Sequence, residues 1–514
     1  MNDASRPERR TAETQQPPRL SKSRFISGMQ CRLRLWYACY EPKLATPPDA
    51  ALQAIFARGH EVGELAQRRW PGGALVEAGP RQVDQAVART RELLADTSLP
   101  ALYEAAFVHR GVLTRVDVLV RNDDGSFDLV EVKSSSRVKE PYDTDVAVQY
   151  WILKGEGLPV RRAGVLVLNR DYVYDGVELD LQQLFRFEDL TDECEQRLDE
   201  ISARVGEFQD MLMAEQPPAI EPGDHCHTPY DCPFWNHCTR NMQFPEHPVT
   251  MLPGLTGGRL EGLEAMGVET VEEIPADYNL TTLQQRVRES TLSGRPWVSD
   301  GLRDALEEVQ WPLHFLDFEA AALAIPRFAG MRPFDALPFQ FSCHHQCAPG
   351  EALEHSEFLA TDTGDPRPAL AEALVEALGK RGSIIVYSPY ERRTINALIQ
   401  AVPRLEPQLA ALRERLVDLL AIIRRHYYHP GFRGSFSIKQ VLPALVPEMS
   451  YEGMDIADGQ AAGVAWTQML ACEDESRRNR IEQALRDYCR MDSRAMHALL
   501  EALLREADRH AATK

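Results

Sequence analysis

The sequence predicts a multidomain α/β protein, and three observations carry that expectation. At 514 residues the chain is too long for one compact core; at roughly 100–200 residues per domain it should divide into two to four. Two regions alternate strand-like runs with helical patterns, one carrying LTRVDVLVR and FDLVEVKSS, the other LHFLDFEA and SIIVYSP. Between them lies a Pro-, Gly- and His-containing stretch, NMQFPEHPVTMLPGL, which reads as a boundary. The expected organisation is a disordered lead at 1–20, a first α/β domain at 21–245, a small helical connector at 246–300 and a second α/β domain at 301–514.

The composition is globular, with 44% hydrophobic and 26% charged residues. A net charge of -20 argues against a protein that coats nucleic acid by bulk electrostatics. It leaves room for an enzyme that handles nucleic acid in a local basic groove while acidic residues hold metal ions. No run of about 18 apolar residues occurs, so no membrane span is expected. The best apolar stretches, Ala320–Ile325 and Leu416–Ile423, break at Pro326 and Arg424. The N-terminal MNDASRPERRTAETQQPP lacks the apolar core of a secretory signal, and a cytoplasmic location is expected. Ten cysteines are too sparse for a disulfide scaffold, so clustered ones are read as metal ligands.

In the first region, LTRVDVLVRNDDGSFDLVEVKSSS reads as a β-hairpin turning at Asp123-Asp124-Gly125. Val116, Val118 and Val120 share one face, and Leu129, Glu131 and Lys133 alternate on the return strand. Asp117 and Glu131 can converge across such a hairpin, with Lys133 pointing the same way. Two carboxylates held together repel, and a divalent cation relieves that repulsion; an adjacent lysine can orient a cation-activated water. Taken alone, the pattern fits a surface hairpin with ordinary charges equally well.

D-x(n)-E-x-K on consecutive strands resembles the PD-(D/E)XK nucleases, and VAVQYWILK resembles the glutamine–tyrosine helix of their RecB-like branch, which includes the CRISPR-associated exonucleases. The glutamine here is Gln149, with Tyr150 directly after it rather than at the family's usual offset. The resemblance implies that these two contact substrate. It also implies an upstream metal-binding histidine, for which His60 in FARGHEVGELA is the candidate; the same histidine also fits an ordinary surface or core position.

Cys31 near the start of this region and Cys226, Cys232 and Cys238 near its end, the last three spaced C-x5-C-x5-C, resemble the four-cysteine iron–sulfur staple of the same branch. Four thiolates suit a 4Fe-4S cluster, and zinc is the competitor, with His225, His227 and His237 at hand. Cys39, Cys194, Cys343, Cys347, Cys472 and Cys489 are read as structural thiols, with only a weak metal suspicion at Cys343-x3-Cys347.

The connector, LPGLTGGRLEGLEAMGVETVEEIP, is similar to a helix–hairpin–helix, whose backbone amides can hold a DNA phosphate. Its glutamates, Glu261, Glu264, Glu269, Glu272 and Glu273, favour a plain helical spacer.

In the second region LHFLDFEA puts Asp317 and Glu319 on one face of a strand flanked by apolar residues. Two carboxylates on one face of a buried strand need something to neutralise them, and a metal site is the economical explanation. Downstream, DYCRMDSRAM sets Tyr488 and Asp492 four apart on one helix face. D-x-E on a first strand with Y-x-x-x-D on a late helix resembles the DEDD (DnaQ-like) exonucleases of the RNase H fold. The resemblance implies two metal ions held by four acids, with the tyrosine orienting the attacking water. The family's remaining motif is altered: SIIVYSPYERRTI offers Glu391 in place of an aspartate, with Asp418 as second candidate. Lys439 follows a Gly-Ser-x-Ser turn at a helix start and is a candidate substrate contact.

The combination LDFEA, YSPYE, VDLL, YYHP…GS-x-SIK-x-VLPAL and YCRMD is similar to the DUF2779 group, in which such a domain follows a RecB-like one. The resemblances together imply a metal-dependent nuclease using Mg²⁺ or Mn²⁺. Its expected substrate is DNA with ends or single strands, in repair or defence. A ribonuclease, or a DNA-end binding scaffold with degenerate sites, remains open, and no protein partner is indicated.

Overall fold

The structure, a computed structural model, describes residues 17–79 and 82–512. The disordered lead expected at 1–20 therefore falls largely on residues 1–16, outside the described residues. The protein is a multidomain α/β fold with two compact units, residues 1–242 with 324–334, and residues 243–323 with 335–514. Among the described residues no helix is long and apolar enough to cross a membrane.

The first unit begins with α1 (Lys22–Gln30), N-capped by the Ser21 hydroxyl accepting from Arg24 N at 3.2 Å. Its sheet has a core of five strands, β1 (Ala101–His109), β2 (Val112–Arg121), β3 (Phe127–Val132), β4 (Val160–Leu168) and β5 (Phe185–Asp189), in that spatial order. Ala74–Leu75 extends the sheet beyond β1, and Leu20–Ser21 pairs in parallel with β2. The sheet is mixed: β1–β2, β2–β3 and β4–β5 are antiparallel, and β3–β4 is parallel. The parallel crossover is α2 (Tyr142–Gly155), buried from Thr144 to Leu153. A helix buried on nearly every side lies at the centre of its unit. It shares a core with α3 (Leu198–Met213) through Val146, Ile152, Ile201 and Phe208. The expected hairpin is present, with Gly125 at φ +81°, the left-handed conformation such a turn reserves for glycine. Residues 324–334 pack with this unit: Tyr174 N donates to Met331 O at 2.9 Å and Gly330 N to Tyr174 O at 2.8 Å.

The second unit starts with the segment expected as a small helical connector. Val249, Leu252, Leu263, Val271 and Val287 instead join one core with Phe315, Tyr427 and Leu499, so the connector is an integral part of this unit. Its sheet comprises β6 (Leu313–Ala322), β7 (Ala336–Gln346), β8 (Glu354–Leu359), β9 (Ser383–Val386) and β10 (Leu416–Asp418). The spatial order is β8–β7–β6–β9–β10; the first two pairings are antiparallel and the last two parallel. Helices α4 (Pro366–Leu378) and α5 (Tyr390–Ala401) share a core with Leu316 and Phe318 of β6. Three later helices complete the unit: α6 (Ile438–Leu445), α7 (Gly459–Ala471) and α8 (Glu475–Ala512). The buried residues of α8 recur at helical spacing, Leu485, Tyr488, Cys489, Asp492, Met496, Leu499 and Leu503. Tyr488 and Asp492 therefore sit within its buried stripe. At the start of α7, a Cβ on Gly459 would stand 3.2 Å from Glu319 Oε2, and one on Gly463 3.3 Å from Ala320 O. The two glycines thus spare this helix a tight contact with β6.

Candidate functional sites

In the first unit the β2–β3 register pairs Val118 with Val130, and one more step sets Asp117 opposite Glu131. The β1–β2 register pairs Tyr103 with Val118 and Ala105 with Val116, so Glu104 completes a row of three carboxylates across three strands. Glu104 has φ +55°, a left-handed conformation that costs a non-glycine residue about 1–2 kcal/mol. Such strain collects at functional sites.

Glu131, 2% exposed, is the centre of the cluster. It accepts from Lys133 Nζ at 2.6 Å, from Lys22 Nζ at 2.8 and 3.0 Å, and from Gln149 Nε2 at 2.7 Å. Lys133 also donates to Asp145 Oδ2 at 2.5 Å, and Lys22 lies 3.4 Å from Asp145 Oδ1. Asp117 accepts from Val132 N at 2.7 Å. Burial works against ionised Glu131, but the Lys133 and Lys22 charges outweigh it and hold this carboxyl below its ordinary range. Burial and the neighbouring Glu131 charge push Asp117 up to about 7. Asp145 is raised by the same two causes. Burial opposes the charge on Lys133, yet Glu131 and Asp145 keep it protonated.

The structure thus brings Asp117, Glu131, Lys133 and Gln149 together and adds Lys22, Asp145 and Glu104. Tyr150 is not part of this group. Its ring is buried and its hydroxyl donates to Glu195 Oε2 at 2.5 Å. Successive helical residues point about 100° apart, so Gln149 and Tyr150 face different surroundings. His60 is exposed on the helix Ala50–Gln67, near enough to Glu104 to act on that carboxylate.

Cys31, Cys226, Cys232 and Cys238 line one cavity with Arg34, Tyr37 and Phe234. Cys31 is the C-cap of α1, and Gln30 beside it donates to His225 O at 2.7 Å and Tyr230 O at 2.6 Å, holding the cysteine loop against that helix. Burial raises the Cys232 and Cys238 thiols, and the other three cysteines of the set add to the rise at Cys238. Four ionisable sulfurs on one cavity fit a thiolate-bound metal group.

In the second unit Asp317 and Glu319 on β6 meet Glu391 on α5 and Asp492 on α8. Glu319, Glu391 and Asp492 are 5%, 3% and 7% exposed. Burial raises Asp317 and Glu319 well above the carboxylate range, and the neighbouring acids, Asp492 first, raise them further. Burial pushes Glu391 up to about 8. Among the described residues no Lys, Arg or His forms an ion pair with these four. The Tyr451 hydroxyl donates to Asp492 Oδ1, and Cys489 Sγ lies 3.4 Å from Asp317 Oδ2. One oxygen each of Asp317 and Glu319 and the Cys489 sulfur lie within 4.8 Å of one another. The Lys439 ammonium stands 5.2 Å from the Tyr488 ring and 5.6 Å from the Tyr451 ring. Its donation to Ala457 O fixes it beside the acids, where its charge acts on both Glu319 and Asp492. Asp418 N-caps the helix Leu419–His426, accepting from Ala421 N at 3.2 Å, and its charge raises Glu391 from the edge of the group. Sequence reasoning missed Tyr451 and read Cys489 as a structural thiol. The carboxylate contact of Cys489 has no local sequence pattern, although its place between Tyr488 and Asp492 was visible.

A multidomain α/β protein carrying two buried carboxylate clusters and one four-thiol cavity is what this architecture defines. Residues 314–437 match the family model described as "Domain of unknown function (DUF2779)", which supports that label. The match spans Asp317, Glu319, Glu391 and Asp418 and stops short of Lys439, Tyr488 and Asp492. No curated protein matches the chain. The solved structure described as "Crystal structure of SSO0001" is similar at 13% identity, over 38% of this chain and 77% of that one, with a TM-score of 0.20. A likeness of that size carries no argument about fold or function.

Proposed function

We propose that the chain is a metal-dependent nuclease hydrolysing phosphodiester bonds of DNA, with a PD-(D/E)XK-like site in the first unit and a DEDD-like site in the second. The observation that carries this reading is the group of Asp317, Glu319, Glu391 and Asp492. Among the described residues these acids have no ion-pair partner, and their raised proton affinities report the repulsion and burial that follow. Protonation can neutralise such a set, and so can divalent cations; the four carboxylates suit Mg²⁺ or Mn²⁺. When bound there, the ions would stabilise the attacking and leaving oxygens of an in-line displacement.

The chain's own groups supply the rest. The four carboxylates hold the ions, Tyr488 lies against them to position a water, and Lys439 offers a charge to a phosphate. In the first unit Asp117 and Glu131 are the ligands, with Asp145 and Glu104 beside them. Lys133 is held protonated by Glu131 and Asp145, so it orients or donates rather than acting as a free base. Gln149 fixes the Glu131 carboxylate. The four-cysteine cavity fits a 4Fe-4S cluster or zinc. A broad absorption near ~400 nm with about four irons per chain identifies the cluster; about one zinc identifies the alternative.

Labelled DNA and RNA oligonucleotides, single-stranded and duplex, would be incubated with the full chain and Mg²⁺ or Mn²⁺. Metal-dependent cleavage of DNA is expected. Asp317→Ala should remove one component of it and Asp117→Ala the other. Preferred cleavage of RNA would make the protein a ribonuclease, since the 2′-hydroxyl must be accommodated or excluded. Binding without cleavage, unchanged by either substitution, would overturn the nuclease reading in favour of a DNA-end binding protein.

A further inference from the structure

The opposite face of the second unit's sheet carries a different set of ligating side chains. Strand alternation puts His314, Leu316 and Phe318 of β6 on the face away from Asp317 and Glu319. The register sets His345 of β7 opposite His314 and Cys343 opposite Leu316. On β8, Glu354 lies opposite His345 and Ser356 opposite Cys343. His314, His345 and Glu354 therefore form one row across three strands, with Cys343 one step along the same face. One ligand atom each of His314, Cys343 and His345 lies within 4.8 Å of the others.

The two rings are oriented by partners on their far sides. His314 Nε2 is 3.0 Å from the carbonyl oxygen of Arg381, which can only accept, so Nε2 carries the proton and Nδ1 presents its lone pair. Arg415 secures that carbonyl by donating to Arg381 O, and to Gly382 O at 2.7 Å. His345 Nε2 is 2.6 Å from the Ser356 hydroxyl, which can accept its proton and free Nδ1 in the same way. The two Nδ1 atoms face each other at 2.8 Å, with Cys343 Sγ 3.8 Å from that of His345. Metal-ligating histidines are oriented in this manner, by an acceptor on the ring's second nitrogen.

We propose that His314, Cys343 and His345 form a zinc site, with the Glu354 carboxylate completing a tetrahedron. Tetrahedral zinc, with bonds of about 2.0 Å to nitrogen and 2.3 Å to sulfur, spaces its donors roughly 3.3–3.6 Å apart. The imidazoles would open by about half an ångström and the thiol would close by slightly less, movements within the reach of side-chain rotation. Burial lowers His314 to about 4, so the ring is neutral at pH 7 and competent as a ligand. Burial raises the Cys343 thiol, so zinc binding must displace its proton. The site would tie three strands behind the acid cluster. It does not depend on the nuclease reading.

The competing arrangement is a plain imidazole–imidazole hydrogen bond with Ser356 as donor. To separate the two, zinc and iron would be counted by mass spectrometry in the full chain and in Cys343→Ser, His345→Gln and, as a control, Cys472→Ser. Cys343→Ser and His345→Gln should each lose about one zinc per chain, with iron unchanged and the control equal to wild type. Cobalt substitution should give a thiolate-to-metal band that Cys343→Ser weakens by one thiolate's share. Wild-type protein without zinc, or equal zinc in all four proteins, overturns the proposal. If both ligand variants unfold, X-ray absorption on wild-type zinc decides: nitrogen and oxygen neighbours beside sulfur support the site, and sulfur-only ligation overturns it.

Discussion

Replacing Glu391 by glutamine should stabilise the metal-free protein, by an amount set by pH. Glu391 rises from an ordinary 4.5 to about 8, mainly through burial. At about 1.4 kcal/mol per unit, the ionised side chain costs the fold on the order of 5 kcal/mol. The sign follows from proton binding. Between pH 4.5 and 8 the folded state holds a proton that the unfolded state has released, so stability falls as pH rises through this window and levels off above it. Glutamine keeps the shape, can accept the Ser388 hydroxyl bond and has no proton to lose. It should therefore gain nothing below about pH 4, about 3 kcal/mol at pH 7 and close to 5 kcal/mol at pH 9. For a unit of this size the pH 7 gain raises the melting transition on the order of 6–12 °C. Calorimetry of the full chain in chelator at pH 4, 7 and 9 reads it directly. Manganese should narrow the difference, since 100-fold excess over the dissociation constant contributes about 2.7 kcal/mol to wild type and less to the variant. A variant that is equally or less stable at all three pH values, with wild type indifferent to manganese, would refute the assignment of these acids as a cation site.

Two further outcomes follow from the same geometry. Gln149→Ala should leave Glu131 without its amide donor and lower cleavage by the first unit by at least tenfold, whereas Tyr150→Phe, which loses only the partly buried bond to Glu195, should cost about 1 kcal/mol of stability and leave cleavage unchanged. Steady-state rates and urea midpoints on the two variants check the contrast. Trp466→Ala removes a fully buried ring that stacks on Phe339 at 4.7 Å and donates to Ala360 O at 2.8 Å. It should destabilise the second unit by about 3–5 kcal/mol, visible in the same calorimetric trace.

What could be read from the sequence was local and periodic. Period-two alternation placed Asp117 against Glu131 across a turn whose glycine is legible, and placed Asp317 beside Glu319. Helical spacing placed Tyr488 over Asp492, and the cysteine spacing drew attention to four thiols that share a cavity. Lys22, which donates to Glu131 from 109 residues away, carries no pattern of its own. Glu104 needed a strand register and a left-handed backbone to reach the first cluster. Tyr451 needed the chain to return against α8. The connector looked separate because its composition changed, yet its apolar residues found partners only in the folded second unit. The row of His314, His345 and Glu354 lies on three strands and exists only once their register is set. Sequence fixes which side chains share a face within one element, because backbone geometry repeats every two or 3.6 residues. Which faces then meet is decided by packing, which minimises exposed apolar surface over the whole chain and follows no local period.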